Sequence, residues 1–229
     1  MPFAVRRSSG PAAELHHRPI PDPAVPVIWW HDVTVPALVL GSAQDGSVVD
    51  LDACRAAGVD VVRRRSGGGA VLLVPGECVW FDVIVPIGTI AAIADVRTSM
   101  VWLGRHLRAA VGIGSVHEGG MDLSPWSRLI CFDGVGPGEI SVDGSKLIGI
   151  SQRRTRGAAR FQVCWHTVYD PAALPSFLDP GHRPRVDQLR PVGTRAGDDS
   201  ARVLDVLWER LDAEWQAATA GGRQMGENG

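Results

Sequence analysis

The apolar positions fall into short runs separated by glycine, proline and polar turns, and these runs set the expected elements. Residues 37–41 read as a buried strand, followed by a turn over 41–46 and a short helix over 48–57 that stops at Gly58. Residues 59–65 read as a strand running into Ser66-Gly67-Gly68-Gly69, and 70–74 and 79–85 as two more, joined by a Pro75-Gly76 turn. From 90 to 111 apolar residues recur at helical period (Ile93, Val96, Met100, Leu103, Leu107, Val111), which predicts an amphipathic helix. Residues 129–132 and 140–142 are expected to be short strands. Asp143-Gly144 is expected to be a two-residue hairpin turn, because a type I′ turn needs positive φ at both central positions. A strand over 161–168 and helices over 172–178 and 199–217 complete the pattern. Residues 1–26, rich in Pro, Arg, His and Ala, read as an irregular arm with one helical turn near 12–17. Strands and helices without regular βαβ alternation imply an α+β fold, a mixed sheet flanked by helices.

Composition narrows the class. The 229 residues are 45% hydrophobic, enough for one sizeable domain, and the whole chain is expected to be that one domain. A net charge of −2 gives no electrostatic footprint for a nucleic-acid partner. No stretch approaches the ~20 apolar residues of a membrane span, and the first twenty residues lack the apolar core of a secretory signal. Cys54, Cys78, Cys131 and Cys164 form no C-x-x-C pair, which points to a reducing cytoplasm rather than a zinc site or disulfide framework. Of the 23 lysines and arginines, one is a lysine, Lys146. A lysine that survives such an arginine bias either occupies a place where a compact ammonium is needed or remains by chance on a solvated hairpin.

Two constellations carry candidate chemistry. In Arg63-Arg64-Arg65-Ser66-Gly67-Gly68-Gly69-Ala70 the glycines allow close backbone approach to a ligand, and the arginines offer donors for carboxylate or phosphate. It lacks the pattern of a P-loop or of a dinucleotide fingerprint. The second constellation is Asp143-Gly144-Ser145-Lys146-Leu147-Ile148-Gly149-Ile150-Ser151-Gln152-Arg153. It places Lys146 on a hairpin strand and Gly149 where a ligand or another backbone can come close.

Together, Arg64–Val71 and Gly144–Arg153 resemble the signature pair of lipoate-protein ligases and octanoyltransferases, and Gly41-Ser42-Ala43-Gln44 resembles that family's G-x-x-Q. The resemblance spans about residues 35–180. It implies the catalytic domain shared by biotin and lipoate ligases, without the large accessory C-terminal domain. It also implies binding of an acyl-adenylate by Arg64, Arg65, Ser66, Gly67, Gly68, Gly69, Ala70, Gly149, Gln152 and Arg153, with Lys146 as the catalytic group. A ligase of this kind uses ATP and Mg²⁺ to activate lipoate or octanoate. It then acylates a lysine of a lipoyl domain in a dehydrogenase complex or of the glycine-cleavage H protein. No tightly bound cofactor and no defined metal site are implied.

The chain departs from the pattern in three places. Leu73 and Val74 stand where many ligases have His-Asp, Gly76-Glu77 where Gly-Asn is common, and Phe161-Gln162-Val163-Cys164 where Phe-His-His-Gly is common. Cys131, in Leu129-Ile130-Cys131-Phe132-Asp133, gives an alternative mechanism. Cysteine-dependent acyltransferases of the superfamily have a Cys-Phe at a similar place and carry the acyl chain as a thioester, taken from an acyl-carrier protein or another lipoyl domain. A neighbouring ammonium favours the reactive thiolate. Core filling is the other reading of Cys131. A non-catalytic relative that binds an acyl ligand or carrier protein is the third functional alternative.

Overall fold

The computed structural model describes residues 2–226. Among the described residues ten strands form two sheets, flanked by four α-helices. The strands are β1 (Ala4–Gly10), β2 (Val27–Val33), β3 (Ala37–Leu40), β4 (Asp60–Arg63), β5 (Val71–Leu73), β6 (Cys78–Pro86), β7 (Ser115–Val116), β8 (Ile140–Val142), β9 (Ser145–Arg154) and β10 (Ala158–His166). The helices are α1 (Ala12–His17), α2 (Leu51–Ala56), α3 (Val96–Val111) and α4 (Ser200–Gly226). The large sheet has the order β1-β2-β6-β10-β9-β8-β7, antiparallel except for β1 on β2, and the small sheet has the order β4-β3-β5.

Period-two side-chain alternation sorts β6 and β10 onto two covered faces. Val79, Phe81, Val83 and Val85, with Phe161, Val163 and Trp165, meet Leu103 and Leu107 of α3 and Leu207 and Leu211 of α4. On the opposite face Trp80 and Phe132 pack with α1 and with Val39, Val71 and Leu73 of the small sheet. The small sheet turns its other face to Cys54 of α2 and to Leu174 and Leu178. The candidate site lies in the layer between the two sheets. Among the described residues no helix is long and apolar enough to cross a membrane.

Four sequence expectations need correction. The N-terminal arm is not irregular: β1 pairs in parallel with β2 along seven residues. The amphipathic stretch 90–111 is not one helix, because the Asp95 carboxylate accepts the Thr98 N–H at 2.8 Å and starts α3 there, leaving 91–94 as a 3-10 turn. Residues 129–132 form no strand. Only Ile130 bridges to Ala70, and a 3-10 turn over Cys131–Asp133 follows. Residues 172–178 hold only the 3-10 turn Pro175–Phe177. The Asp143-Gly144 turn has φ of 49° and 78°, both positive as the hairpin requires.

Candidate functional site

The glycine-rich loop connects β4 to β5 and is held from three directions. Gly68 has φ 101°. A Cβ on Gly41, at the end of β3, would lie 1.9 Å from the Gly68 carbonyl oxygen, and one on Gly69 would lie 2.7 Å from the Cys131 nitrogen. Glycine at these two positions lets three backbone segments meet. Ala70 N–H donates to Leu129 O at 2.8 Å, and Cys131 N–H donates to Ala70 O at 2.9 Å. Gln44 adds a clasp, accepting from Gly41 N–H at 2.8 Å and donating to Leu129 O at 3.0 Å. Gly41→Ala is therefore expected to lower stability by about 1–3 kcal/mol. The denaturant midpoint measures this, and an unchanged midpoint would contradict the close packing.

Arg64 is buried and braces the loop from within. Its guanidinium donates to Gly67 O at 2.8 Å, Gly69 O at 2.9 Å and Val39 O at 3.4 Å. Ser66 is also buried, with Oγ 2.6 Å from Gln162 Oε1 and 2.9 Å from Ser151 Oγ. Arg65 is exposed. The loop thus delivers Cys131 to a fixed place beside β9.

Beside β9, Cys131 meets Lys146. Lys146 is 3% exposed, and its Nζ lies 2.7 Å from Glu139 Oε2, 2.9 Å from Cys131 O, 3.0 Å from Gly134 O and 3.9 Å from Cys131 Sγ. Three oxygen acceptors match the three ammonium N–H bonds, which aims the group and leaves its charge beside the sulfur. Glu139 is itself fixed: its carboxylate accepts from Gly136 N–H at 2.7 Å and Ile150 N–H at 3.0 Å. Burial works against the ammonium, but electrostatic attraction to its neighbours, with the hydrogen bond to Glu139, outweighs it and holds the Lys146 pKa above the usual lysine range. A side chain at Gly149 would press on Lys146 Cε and Phe132 Cζ, each 3.3 Å from its Cβ.

Two cavities meet at Cys131. One, with about 410 Å³ of unfilled space partly open to solvent, is lined by Cys131, Val39, Val71, Leu73 and Phe132, among others, and also by His16 and Gln162. The other, with about 1020 Å³ of unfilled space also partly open to solvent, runs past Gly67–Gly69, Met100, Met121, Glu139 and Lys146. Cys131, Ile150 and Ser151 line both.

Behind the first cavity lies a buried ion cluster. Asp82 accepts from Arg160 Nε at 2.8 Å and Trp80 Nε1 at 3.1 Å, and its Oδ2 is 3.0 Å from His31 Nε2. Burial opposes this carboxylate, yet Arg160 and His31 hold its pKa down at about 2. Arg160 also donates to the carbonyls of Leu15, His16 and Arg18, which fastens α1 and the residue after it onto the sheet. Burial pushes His16 down to about 3 and His166 to about 4. Between those values and an unfolded pKa of about 6.5, the unfolded chain takes protons that the folded chain refuses, so stability falls as the pH drops below 6.5. Going from pH 7 to 5 is expected to cost roughly 4 kcal/mol from the two histidines together. A urea midpoint unchanged over that interval would contradict their neutral burial.

The profile of the lipoyl protein ligase A/B catalytic domain matches residues 14–197, a span that includes the loop, Cys131, Lys146 and both cavities. The chain belongs to this lipoyl ligase A/B family. It is 31% identical over 151 residues to octanoyltransferase LipM of Moorella thermoacetica, covering 62% of this chain and 53% of that protein. The chain spans about half the length of the curated relatives it matches. The fold is that of lipoate-protein ligase A solved with ATP (TM-score 0.67, 16% identity, 96% of this chain and 94% of that one). The bipartite lipoate protein ligase from Thermoplasma acidophilum, solved in work on its lipoylation system and E2 lipoyl domain, has a TM-score of 0.61 at 16% identity, with 96% and 90% covered.

Within this family frame, Gln152 lines the larger cavity and donates from its side chain to Ser99 Oγ of α3 at 2.8 Å. Arg153 lines neither cavity; it stands opposite Arg160 in the β9–β10 register, on the face shared with Ser151 and Gly149. Glu139, His16 and Asp82 were not singled out by sequence. Asp82 had a signal, a lone carboxylate in the apolar run of β6, whereas Glu139 had none. Among the described residues no group of three or more His, Cys, Asp or Glu is placed to hold a metal ion.

Proposed function

We propose that this chain is a medium-chain acyltransferase that carries an octanoyl or lipoyl group as a thioester on Cys131 and delivers it to a lysine of a lipoyl domain. The observation that carries the reading is the position of Cys131, at the junction of both cavities with the Lys146 ammonium 3.9 Å from Sγ. An ammonium this close in a buried site stabilises negative charge on sulfur. The thiolate attacks the donor thioester carbonyl, the new C–S bond forms, and the donor sulfur leaves and takes up a proton. A neutral lysine amine of the acceptor then attacks the Cys131 thioester. The amide forms, Cys131 leaves as thiolate, and the amine gives up a proton. Cleavage of a thioester supplies the driving force, so neither step requires ATP.

Kinship to an octanoyltransferase supports the acyl class, and the E2 lipoyl domain named with a structural neighbour supports the acceptor class. An ATP- and Mg²⁺-dependent ligase is less well supported by the geometry. Lys146 already gives its three N–H bonds to protein oxygens, and the Glu139 carboxylate beside it would repel an adenylate phosphate.

The test is intact-mass analysis of an apo lipoyl domain incubated with the protein and either octanoyl-carrier protein or octanoate with ATP and Mg²⁺. Acylation from the carrier protein without ATP is expected. Acylation only from octanoate with ATP would replace the transferase by the ligase, and none from either donor would favour a binding protein.

A further inference from the structure

We propose that Glu139 is a positioning residue for acyl transfer: it holds Lys146 as an aimed ammonium through both half-reactions, so that Lys146 serves Cys131 as a fixed charge and not as a proton carrier. The inference rests on the acyltransferase reading above and deepens it.

Glu139 is buried just before β8, in a turn that the backbone pins in place. His117 N–H donates to Glu139 O at 2.9 Å, and Gly138 N–H donates to His117 O at 2.7 Å. The turn is pressed on α3, where a Cβ on Gly104 would lie 2.1 Å from Gly138 O. The carboxylate is held at both oxygens: Oε1 accepts from Ile150 N–H, and Oε2 accepts from Gly136 N–H and meets Lys146 Nζ at 2.7 Å. Among the described residues it is the one carboxylate paired with Lys146. The other groups around the lysine are committed elsewhere or uncharged. Asp133 accepts from Ser124 Oγ and Arg190 N–H. Arg64 opposes the ammonium from across the glycine loop, with its N–H groups on Gly67, Gly69 and Val39 carbonyls. Arg97 of α3 donates to Glu118 O. Arg190 and Arg195, on either side of the Val192 bridge to Lys146, pair with Asp122 and Asp199. On β10, contact with Cys78 and burial keep Cys164 a thiol, and burial keeps His166 neutral.

Three oxygens converge on Nζ: Glu139 Oε2, Cys131 O and Gly134 O. An ammonium has three N–H donors for them, whereas a neutral amine has two and would turn its lone pair on an oxygen. Loss of the proton would also leave the buried Glu139 charge without its cation, which is strongly destabilising. A lysine locked in this state does not take the thiol proton and hand it to a leaving group. It stabilises negative charge on the sulfur, 3.9 Å away, when Cys131 attacks and again when it leaves. The protons of the two half-reactions are exchanged with solvent, which reaches half-buried Cys131 through the partly open cavities.

Lys146 is the chain's one lysine, so labelling with [13Cε]lysine gives a single side-chain resonance that reports its protonation by NMR. The companion readout is the rate of Cys131 acylation by octanoyl-carrier protein, followed by intact mass without acceptor. In the unaltered protein the resonance is expected to stay fixed from pH 7 to about pH 10, with no decline in acylation over that range. In Glu139→Gln the resonance is expected to titrate about one to three pH units lower. Acylation then gains an alkaline decline that follows the resonance, roughly tenfold by pH 10. Glu139→Asp, which keeps the charge, is expected to restore both in part. A resonance that titrates in the unaltered protein where acylation changes would make Lys146 a proton carrier and overturn the inference while leaving acyl transfer intact. A Glu139→Gln protein with the unaltered titration and pH profile would overturn it too. If the urea midpoint shows that Glu139→Gln does not fold, the unaltered protein and Glu139→Asp decide between the same results. No acylation from the carrier protein at any pH would overturn the acyltransferase reading, and this inference with it.

Discussion

Cys131→Ala is expected to lower acyl transfer by about 10³-fold or more, because it removes the atom that holds the acyl group between the two half-reactions. The loss should fall on kcat and leave the fold intact, since the substitution deletes one half-buried sulfur whose nearest polar neighbour already has three oxygen partners. Cys164 separates this thiol from any thiol, because it lines the same cavity yet projects from β10 and touches the Trp165 carbonyl instead of Lys146. In Cys164→Ala the acyl group should still be found on Cys131. Rates that change less than about tenfold in Cys131→Ala would remove the thioester from the mechanism.

Asp82→Ala is expected to be the most damaging single change to stability, at roughly 3–5 kcal/mol. The cost comes from what it leaves behind. Arg160, with its side chain 2% exposed, would keep a buried charge with only carbonyl oxygens around it, and His31 and Trp80 would each lose a partner. Removing the cation as well, in Asp82→Ala with Arg160→Met, should cost less than the two single changes added together. Urea unfolding of the four proteins gives this cycle. A single-mutant loss below about 1 kcal/mol, or strict additivity, would show that the cluster is not coupled. The same cluster fixes α1 beside the cavity, because Arg160 binds the carbonyls of Leu15 and His16.

These effects show how unevenly the sequence reported the structure. The hairpin at Asp143-Gly144 and the strand–loop–strand around Gly67–Gly69 were legible because positive φ and close backbone approach are demands that few residues meet. β1 was illegible for the opposite reason. It is an edge strand whose middle residues are exposed, so its polar Arg6-Arg7-Ser8-Ser9 carries no alternating core signal, and backbone pairing with β2 alone defines it. Leu129–Phe132 misled because it is apolar, with Ile130 and Phe132 buried, while pairing only at Ile130. In the candidate site, Lys146 stood out as the lone lysine, but its partner Glu139 is one carboxylate among 25 acidic residues until the β8–β9 hairpin brings them to 2.7 Å. His16 belongs to the arm that looked irregular, and only the stacking on Trp80 shows that it reaches the cavity.

The central claim is that Cys131 becomes acylated, and the most direct measurement is peptide mass mapping of the protein itself. The protein is mixed with octanoyl-carrier protein, without acceptor or ATP, and quenched in acid to preserve thioesters. The account predicts an octanoyl adduct on the Cys131 peptide that hydroxylamine removes and that disappears when apo lipoyl domain is added before the quench. An unmodified Cys131, in a sample that goes on to acylate the lipoyl domain, would contradict it.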